Sequence, residues 1–296
     1  MSATPSSQCI LFHDATPPES IASAQRGAYV AVADELSAPT LRALIERSER
    51  GDLTLHLARG GVKLLREAAL TRNLASLSLS GVALGDLLFP PTLRALRLSS
   101  CSGALDGLIV APLETLALDG GSLDTSALGR HATLVALLIA NASPASVVLP
   151  ANLRALRLIA IPLASLDVLR GASSIEHFEG ARLDTLESLD ALLSLPNLRA
   201  LGLEGCWRLD LHATIAFLST LSLLELRIDI GGRRKNDEIY KRHPVAPLSP
   251  FPSPERWRTQ AAPHSFQEPG ENPFQIGAIP PDAAATQLPW MTSPHP

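Results

Sequence analysis

Eight histidines and three cysteines are the residues of widest chemical reach in this chain. Their spacing assembles no reactive centre. Cys9, Cys101 and Cys206 are too few and too scattered for a disulfide framework or a zinc site. A nucleophilic cysteine needs a nearby base and partial exposure. The histidines are spread over the whole chain. His56 and His177 fall in strand-like segments, with no neighbour at metal-ligand spacing. The phosphate loop G-x-x-x-x-G-K-[ST] does not occur, nor do G-x-G-x-x-G, H-E-x-x-H or G-x-S-x-G. The expectation is a protein that is not an enzyme and uses no cofactor or metal. The chemistry that remains is recognition. Arg97, Arg157, His177, Glu179, Glu204, Glu225 and Arg227 are charged or titratable groups in strand-like segments, with apolar Leu138 and Ile159 among them.

The 296 residues suffice for two average domains or one elongated array. Hydrophobic residues make up 46% and aromatics only 4%, so leucine and alanine must build the core. A net charge of -4 argues against nucleic acid, whose binders usually show a basic excess. The first 25 residues carry no positive charge and no long apolar segment, so no secretory signal is read there. No run approaches the ~18 consecutive apolar residues of a membrane helix. The expected location is the cytoplasm, with reduced thiols. The Ser/Thr/Pro-rich start leaves open a second location, inside a host cell reached by a non-Sec route.

The elements that would position the charged residues are written as a repeat. "LRALRL" occurs at 93–98 and again at 153–158, and "LRALGL" follows at 198–203. Aligned on L-x-x-L-x-L, units start at Leu74, Leu93, Leu113, Leu134, Leu153, Ile175, Leu198 and Leu221, with a degenerate unit before them at 50–57. Of the 54 leucines, 48 lie between 50 and 230, so they belong to the array. Each unit reads as a short strand whose fourth and sixth residues face a core and whose third, fifth and seventh face away. One unit cannot bury its apolar face alone, and stacked units can.

This pattern resembles the leucine-rich repeat family over about 50–230. The ninth position, where the family uses Asn or Cys, holds Val82, Cys101, Gly121, Ala142, Ile161, Leu183 and Cys206. The missing Asn is expected to leave its backbone-bonding role to backbone or water. The short units with "FPPTLRALRL" and "LPANLRALRL" are similar to the repeats of bacterial leucine-rich effectors. The resemblance implies an α/β solenoid: a curved parallel sheet on the concave face, with short helices or extended returns on the convex face. Proline makes the returns 85–92, 106–112 and 143–152 extended. The returns at 183–197 and 210–220 have helical spacing.

Five segments follow. Residues 1–32 form a partly disordered N-terminal segment. Residues 33–73 form a helical N-cap and the degenerate first repeat, with Pro39 in the first turn of a helix over 33–48. Residues 74–230 are the repeats and 231–243 a C-terminal cap. Residues 244–296, with 13 of the 24 prolines, are a disordered tail. Its P-x-x-P at Pro247–Pro250 could dock to a proline-recognition domain.

The expected function is protein–protein interaction, with a protein partner held on the concave face by Arg97, Leu138, Arg157, Ile159, His177, Glu179, Glu204, Glu225 and Arg227. Two alternatives are an effector delivered into a host cell to bind a host protein, and an F-box-like ubiquitin-ligase adaptor using the helical N-terminus.

Overall fold

Leucines on alternate residues can be satisfied only by a strand with one buried face. The computed structural model describes residues 9–12, 29–32, 36–49, 54–57, 59–85, 87–142 and 147–248. It is a mixed α/β structure dominated by one parallel sheet. Twelve strands lie in that sheet in chain order: β1 (Cys9–Phe12), β2 (Tyr29–Val32), β3 (Thr54–Leu57), β4 (Ser76–Ser80), β5 (Ala95–Ser99), β7 (Thr115–Asp119), β9 (Ala136–Ala140), β10 (Ala155–Ile159), β11 (His177–Ala181), β12 (Ala200–Glu204), β13 (Glu225–Asp229) and β14 (Ala246–Pro247). A second, two-stranded sheet pairs β6 (Ser102–Ala104) with β8 (Ser122–Asp124). The repeat frame did not foresee it.

Stacking joins the inward leucines of the repeats into one apolar cluster extending from Val32 to Ile239. Fully burying a leucine contributes roughly 2 kcal/mol, so the regular spelling is the main source of cohesion. The least leucine-like unit, "IEHFEG", compensates within itself. Phe178 is fully buried in a leucine slot. The next inward residue is Gly180, and a Cβ there would stand 2.7 Å from Cδ1 of Leu183, which fills the space. Total volume is kept while its source moves.

Side chains, where backbone or water was expected, bond along the array. In four units the residue before the first leucine reaches back to the previous unit's backbone. Thr92 Oγ1 donates to the Leu74 carbonyl at 3.1 Å and Thr133 Oγ1 to the Leu113 carbonyl at 2.9 Å. Asn152 Nδ2 donates to the Ala132 carbonyl at 2.7 Å, and Asn197 Nδ2 to the Ser173 carbonyl at 2.9 Å. After the strand, the backbone turns through the left-handed region at Gly81, Ser100, Gly120, Asn141, Ala160, Arg182 and Gly205, with φ between 51 and 66°. There the N–H still bonds the next strand, as Ala160 does to the Ala181 carbonyl at 2.8 Å. A residue with a Cβ is strained in that region. Ala160→Gly is expected to raise stability by about 0.5–1 kcal/mol, the relief exceeding glycine's added chain entropy. Urea denaturation measures it, with an unchanged slope and a higher midpoint.

The ends differ from the sequence reading. The N-terminal segment expected over 1–32 supplies β1 and β2, which pair with each other and, through β2, with β3. Their apolar runs "CILF" and "YVAV" lack leucine spacing and escape an L-x-x-L-x-L search. Residues 1–8 and 13–28 lie outside the described residues. The expected helix is present as α1 (Ala38–Ser48), with Pro39 in its first turn and Ser37 capping the Thr40 N–H. It stands between β2 and β3, so it is a return within the sheet, with two strands before it where a terminal cap was expected. The segment 61–71 is a 3-10 helix (Arg59–Arg66) followed by α2 (Ala68–Thr71). The return at 106–112, expected to be extended, begins with a 3-10 turn at Asp106–Leu108. The later returns carry a 3-10 turn at Asp190–Ser194 and α3 (Leu211–Leu218).

The polar closing helix is α4 (Arg233–Arg242). The expected start of the tail at 244 is displaced: β14 pairs with β13, Ala246 opposite Glu225 and Pro247 opposite Leu226. Proline is tolerated there because β14 is an edge strand. Residues 249–296, and the expected disorder of the tail with them, lie outside the described residues. Among the described residues no helix is long and apolar enough to cross a membrane.

Candidate functional site: the outward face of the sheet

The register places every expected site residue on an outward column, and it corrects the frame at both ends. Glu225 pairs with Ala200 and Arg227 with Gly202. The last unit therefore starts at Leu223, not Leu221, and Leu223 packs against the core instead of lining the outer face. In the first unit Thr54 pairs with Ser76 and His56 with Ser78, again a shift of two. A slip of two keeps every side chain on its own face, so alternation alone cannot detect it. The true fifth column reads His56, Ser78, Arg97, Ala117, Leu138, Arg157, Glu179, Gly202, Arg227.

Four neighbouring strands, β10 to β13, bring the charged residues together around one carboxylate. Glu179 is 2% exposed. Its Oε1 accepts from His177 Nε2 at 2.8 Å. Its Oε2 accepts from Arg227 at 3.1 Å and forms an ion pair with Arg157 Nε at 3.2 Å. Burial by itself pushes the Glu179 carboxyl up. The hydrogen bond from His177 and the charges of Arg157, His177 and Arg227 outweigh burial, and the group sits below the ordinary glutamate range. Glu179 is thus an ionised acceptor, and His177 holds its proton on Nε2.

His177 and Glu179 were expected to meet a partner directly. Both are buried: Glu179 meets the two arginines, and His177 meets Glu179. Arg157 and Arg227 keep part of their surface in water, at 26% and 42%. Arg227 also lies 3.8 Å from the exposed Glu204. Glu225 is half-buried on the third column of β13. Leu138 on β9 and Ile159 on β10 are half-buried beside the cluster. Arg97 stands apart on β5, separated from β10 by β7 and β9, with Ser99 Oγ at 3.3 Å and Asp119 at 3.4 Å. Asp119 also accepts from Asn141 at 2.8 Å.

A carboxylate that accepts two hydrogen bonds and is paired with a further guanidinium is a poor base and a poor nucleophile. It can hold two guanidinium planes in fixed orientation, and those planes bind carboxylates or backbone carbonyls in pairs. Among the described residues no group of three or more His, Cys, Asp or Glu is placed to hold a metal ion. Cys101 and Cys206 are free, separate and buried. Burial pushes the Cys206 thiol up to about 11, which makes it inert at neutral pH.

Sequence reasoning missed two features of this face. His56 Nδ1 lies 2.8 Å from Ser78 Oγ, a pairing that the corrected frame reveals. Leu248 reaches over Gly202: its Cδ2 lies 2.7 Å from where a Cβ on that glycine would stand. No family model matches the chain, and no curated protein matches it either.

Proposed function

We propose that the chain is a leucine-rich repeat solenoid, not an enzyme, and that it binds a protein partner on the concave, outward face of its sheet. The repeat spelling, the parallel order of the strands and the alternation of buried and outward residues support the solenoid reading. The observation that carries the function is the Glu179 cluster. It presents Arg157 and Arg227 in fixed poses beside half-buried Leu138 and Ile159. Fixed arginines next to apolar contact area are what protein interfaces concentrate at their centres. The outward columns also carry Asp119, Glu204, Glu225 and Asp229, a mixture that favours a protein over a polyanion.

The test compares captured proteins in pull-downs of the full chain. Leu138→Glu with Ile159→Glu should abolish capture of a specific partner while leaving the melting temperature nearly unchanged, because both positions face outward. Leu193→Glu, on a return segment and 55% exposed, should capture as the wild type does. Identical capture by the two variants removes the concave-face reading.

A further inference from the structure

The outward face is striped by charge. Its fifth column carries Arg97, Arg157 and Arg227 and a single carboxylate, Glu179, which is buried. The seventh column, two residues further along each strand, carries the acids Asp119, Glu204 and Asp229. Asp119 is engaged by Arg97 and Asn141, and Asp229 by Asn236 and the Gly231 N–H. Glu225 stands on the third column, in the row of His177. The charge that the fifth column offers to a visitor is therefore positive.

Arg157 and Arg227 meet on that column with donors to spare. Arg227 stands on β13 and reaches Glu179 on β11 across Gly202 of β12. Glu179 leans over that glycine: a Cβ at 202 would stand 3.0 Å from its Cγ. Arg227 donates one hydrogen bond, from Nη2 to Glu179 Oε2. Among the described residues Arg157 donates none, although its Nε lies 3.2 Å from the same oxygen. Nε of both arginines is buried without a hydrogen-bond partner. The other oxygen, Oε1, is occupied by His177. One ionised carboxylate thus serves two guanidiniums, which leaves a positive charge in excess between them and most of their N–H donors unbonded. Glu204, which also pairs with Arg227, is 57% exposed and stands at 3.8 Å, beyond hydrogen-bond reach. Apolar surface lies alongside. Leu138 is the neighbour of Arg157 across the β9–β10 pair, and Ile159 follows on β10; both are half-buried. The strands of Leu138 and Glu179 are two spacings apart, roughly 10 Å. About three extended residues span that distance.

We infer that this site takes an acidic segment of a partner protein. An Asp or Glu side chain of the partner seats its carboxylate on the Arg157 and Arg227 guanidiniums, and an aliphatic side chain about three residues away packs on Leu138 and Ile159. This rests on the concave-face reading above and names the chemistry of its partner. A carboxylate accepts from a guanidinium through two parallel bonds, at shorter range than Glu204 offers, and it balances the excess charge. A basic segment would be repelled by that charge, and a neutral carbonyl would leave it uncompensated.

The test pans a random peptide library, displayed on phage, against the full chain. Peptides lost on Leu138→Gln with Ile159→Gln, a pair that removes apolar contact and adds no charge, are those seated on this face. They should carry Asp or Glu close to an aliphatic residue. Their recovery should fall about tenfold on Arg227→Gln, the contribution of one charged hydrogen bond. Arg227→Lys keeps a positive charge beside Glu179 and with it the fold, and it should also lower recovery, because an ammonium has no planar fork. Glu204→Gln should raise recovery by removing a competing carboxylate. Face-bound peptides that are basic, or that lack an acid, overturn the inference and leave the concave-face reading standing. So does recovery that ignores both Arg227 variants or that falls on Glu204→Gln. Displacement of the peptides by a short DNA strand at equal concentration assigns the guanidiniums to phosphates and equally overturns it. If no peptide depends on Leu138 and Ile159, both readings fail.

Discussion

Glu179→Gln is expected to lower the stability of the chain by about 2–3 kcal/mol. Removing one member of a buried ion pair costs about 3–5 kcal/mol, and water at the two guanidinium groups reduces that here. The substitution keeps the volume, so the loss is electrostatic. Arg157 and Arg227 would face each other without the charge between them, and His177 would lose its ionised acceptor. Glu204→Gln, at a position 57% exposed and 3.8 Å from Arg227, should change stability by less than about 0.5 kcal/mol. Urea denaturation at neutral pH separates the two. Acid titration separates them again. The Glu179 pKa is lower in the folded state than in the unfolded chain. Its contribution is therefore complete above about pH 4.3, the unfolded value, and disappears as pH falls through the folded value. The gap between wild type and Glu179→Gln should close on the acid side. A gap that persists unchanged well below pH 4 would show that the loss is one of packing.

Gly121→Ala is expected to be more damaging than its size suggests, with a loss of at least about 3 kcal/mol. An ideal Cβ at 121 would lie 2.0 Å from the Cys101 carbonyl oxygen, 2.8 Å from its nitrogen and 3.0 Å from its carbonyl carbon. Those are backbone atoms that cannot rotate away. The close approach exists because Ser122 donates to that carbonyl at 3.0 Å and opens β8, which pairs with β6. The residue next to it is the control. Gly120 has φ +64° and nothing nearer than 3.9 Å to a Cβ. Gly120→Ala should therefore cost only the left-handed strain, about 1 kcal/mol. Equal losses for the two would mean that backbone strain, and not the clash, dominates at 121.

The sequence places Gly121 in the repeat's ninth position, among core residues, and nothing in its spelling announces the second sheet. Two parallel three-residue strands, with a 3-10 turn and β7 between them in the chain, are too short to carry a period. The two-residue frame shifts at Thr54 and at Glu225 have a related cause. In "DLTLHL" and "LSLLEL" leucines stand at several alternate positions, so the template fits twice with the same faces. The His56–Ser78 pair was hidden by the first of these shifts, and the depth of Leu223 by the second. Thr92, Thr133, Asn152 and Asn197 were legible in principle, since each precedes the first leucine of a unit. Their role emerges only when the preceding turn's carbonyl is seen within reach.

The leucine spacing by itself determined the strands, the inward columns and the outward placement of Arg97, Leu138, Arg157, Ile159, His177, Glu179 and Glu204, because a period of two and a recurring unit are properties of one chain segment at a time. Burial on the outward face was a tertiary decision. Whether Glu179 meets solvent depends on Arg157 22 residues before it and Arg227 48 residues after it. Whether Gly202 is an empty slot or a seat for Leu248 depends on where the chain goes after its last repeat. Such contacts join residues that no local pattern links, and their energies depend on distances that only the stacked strands set.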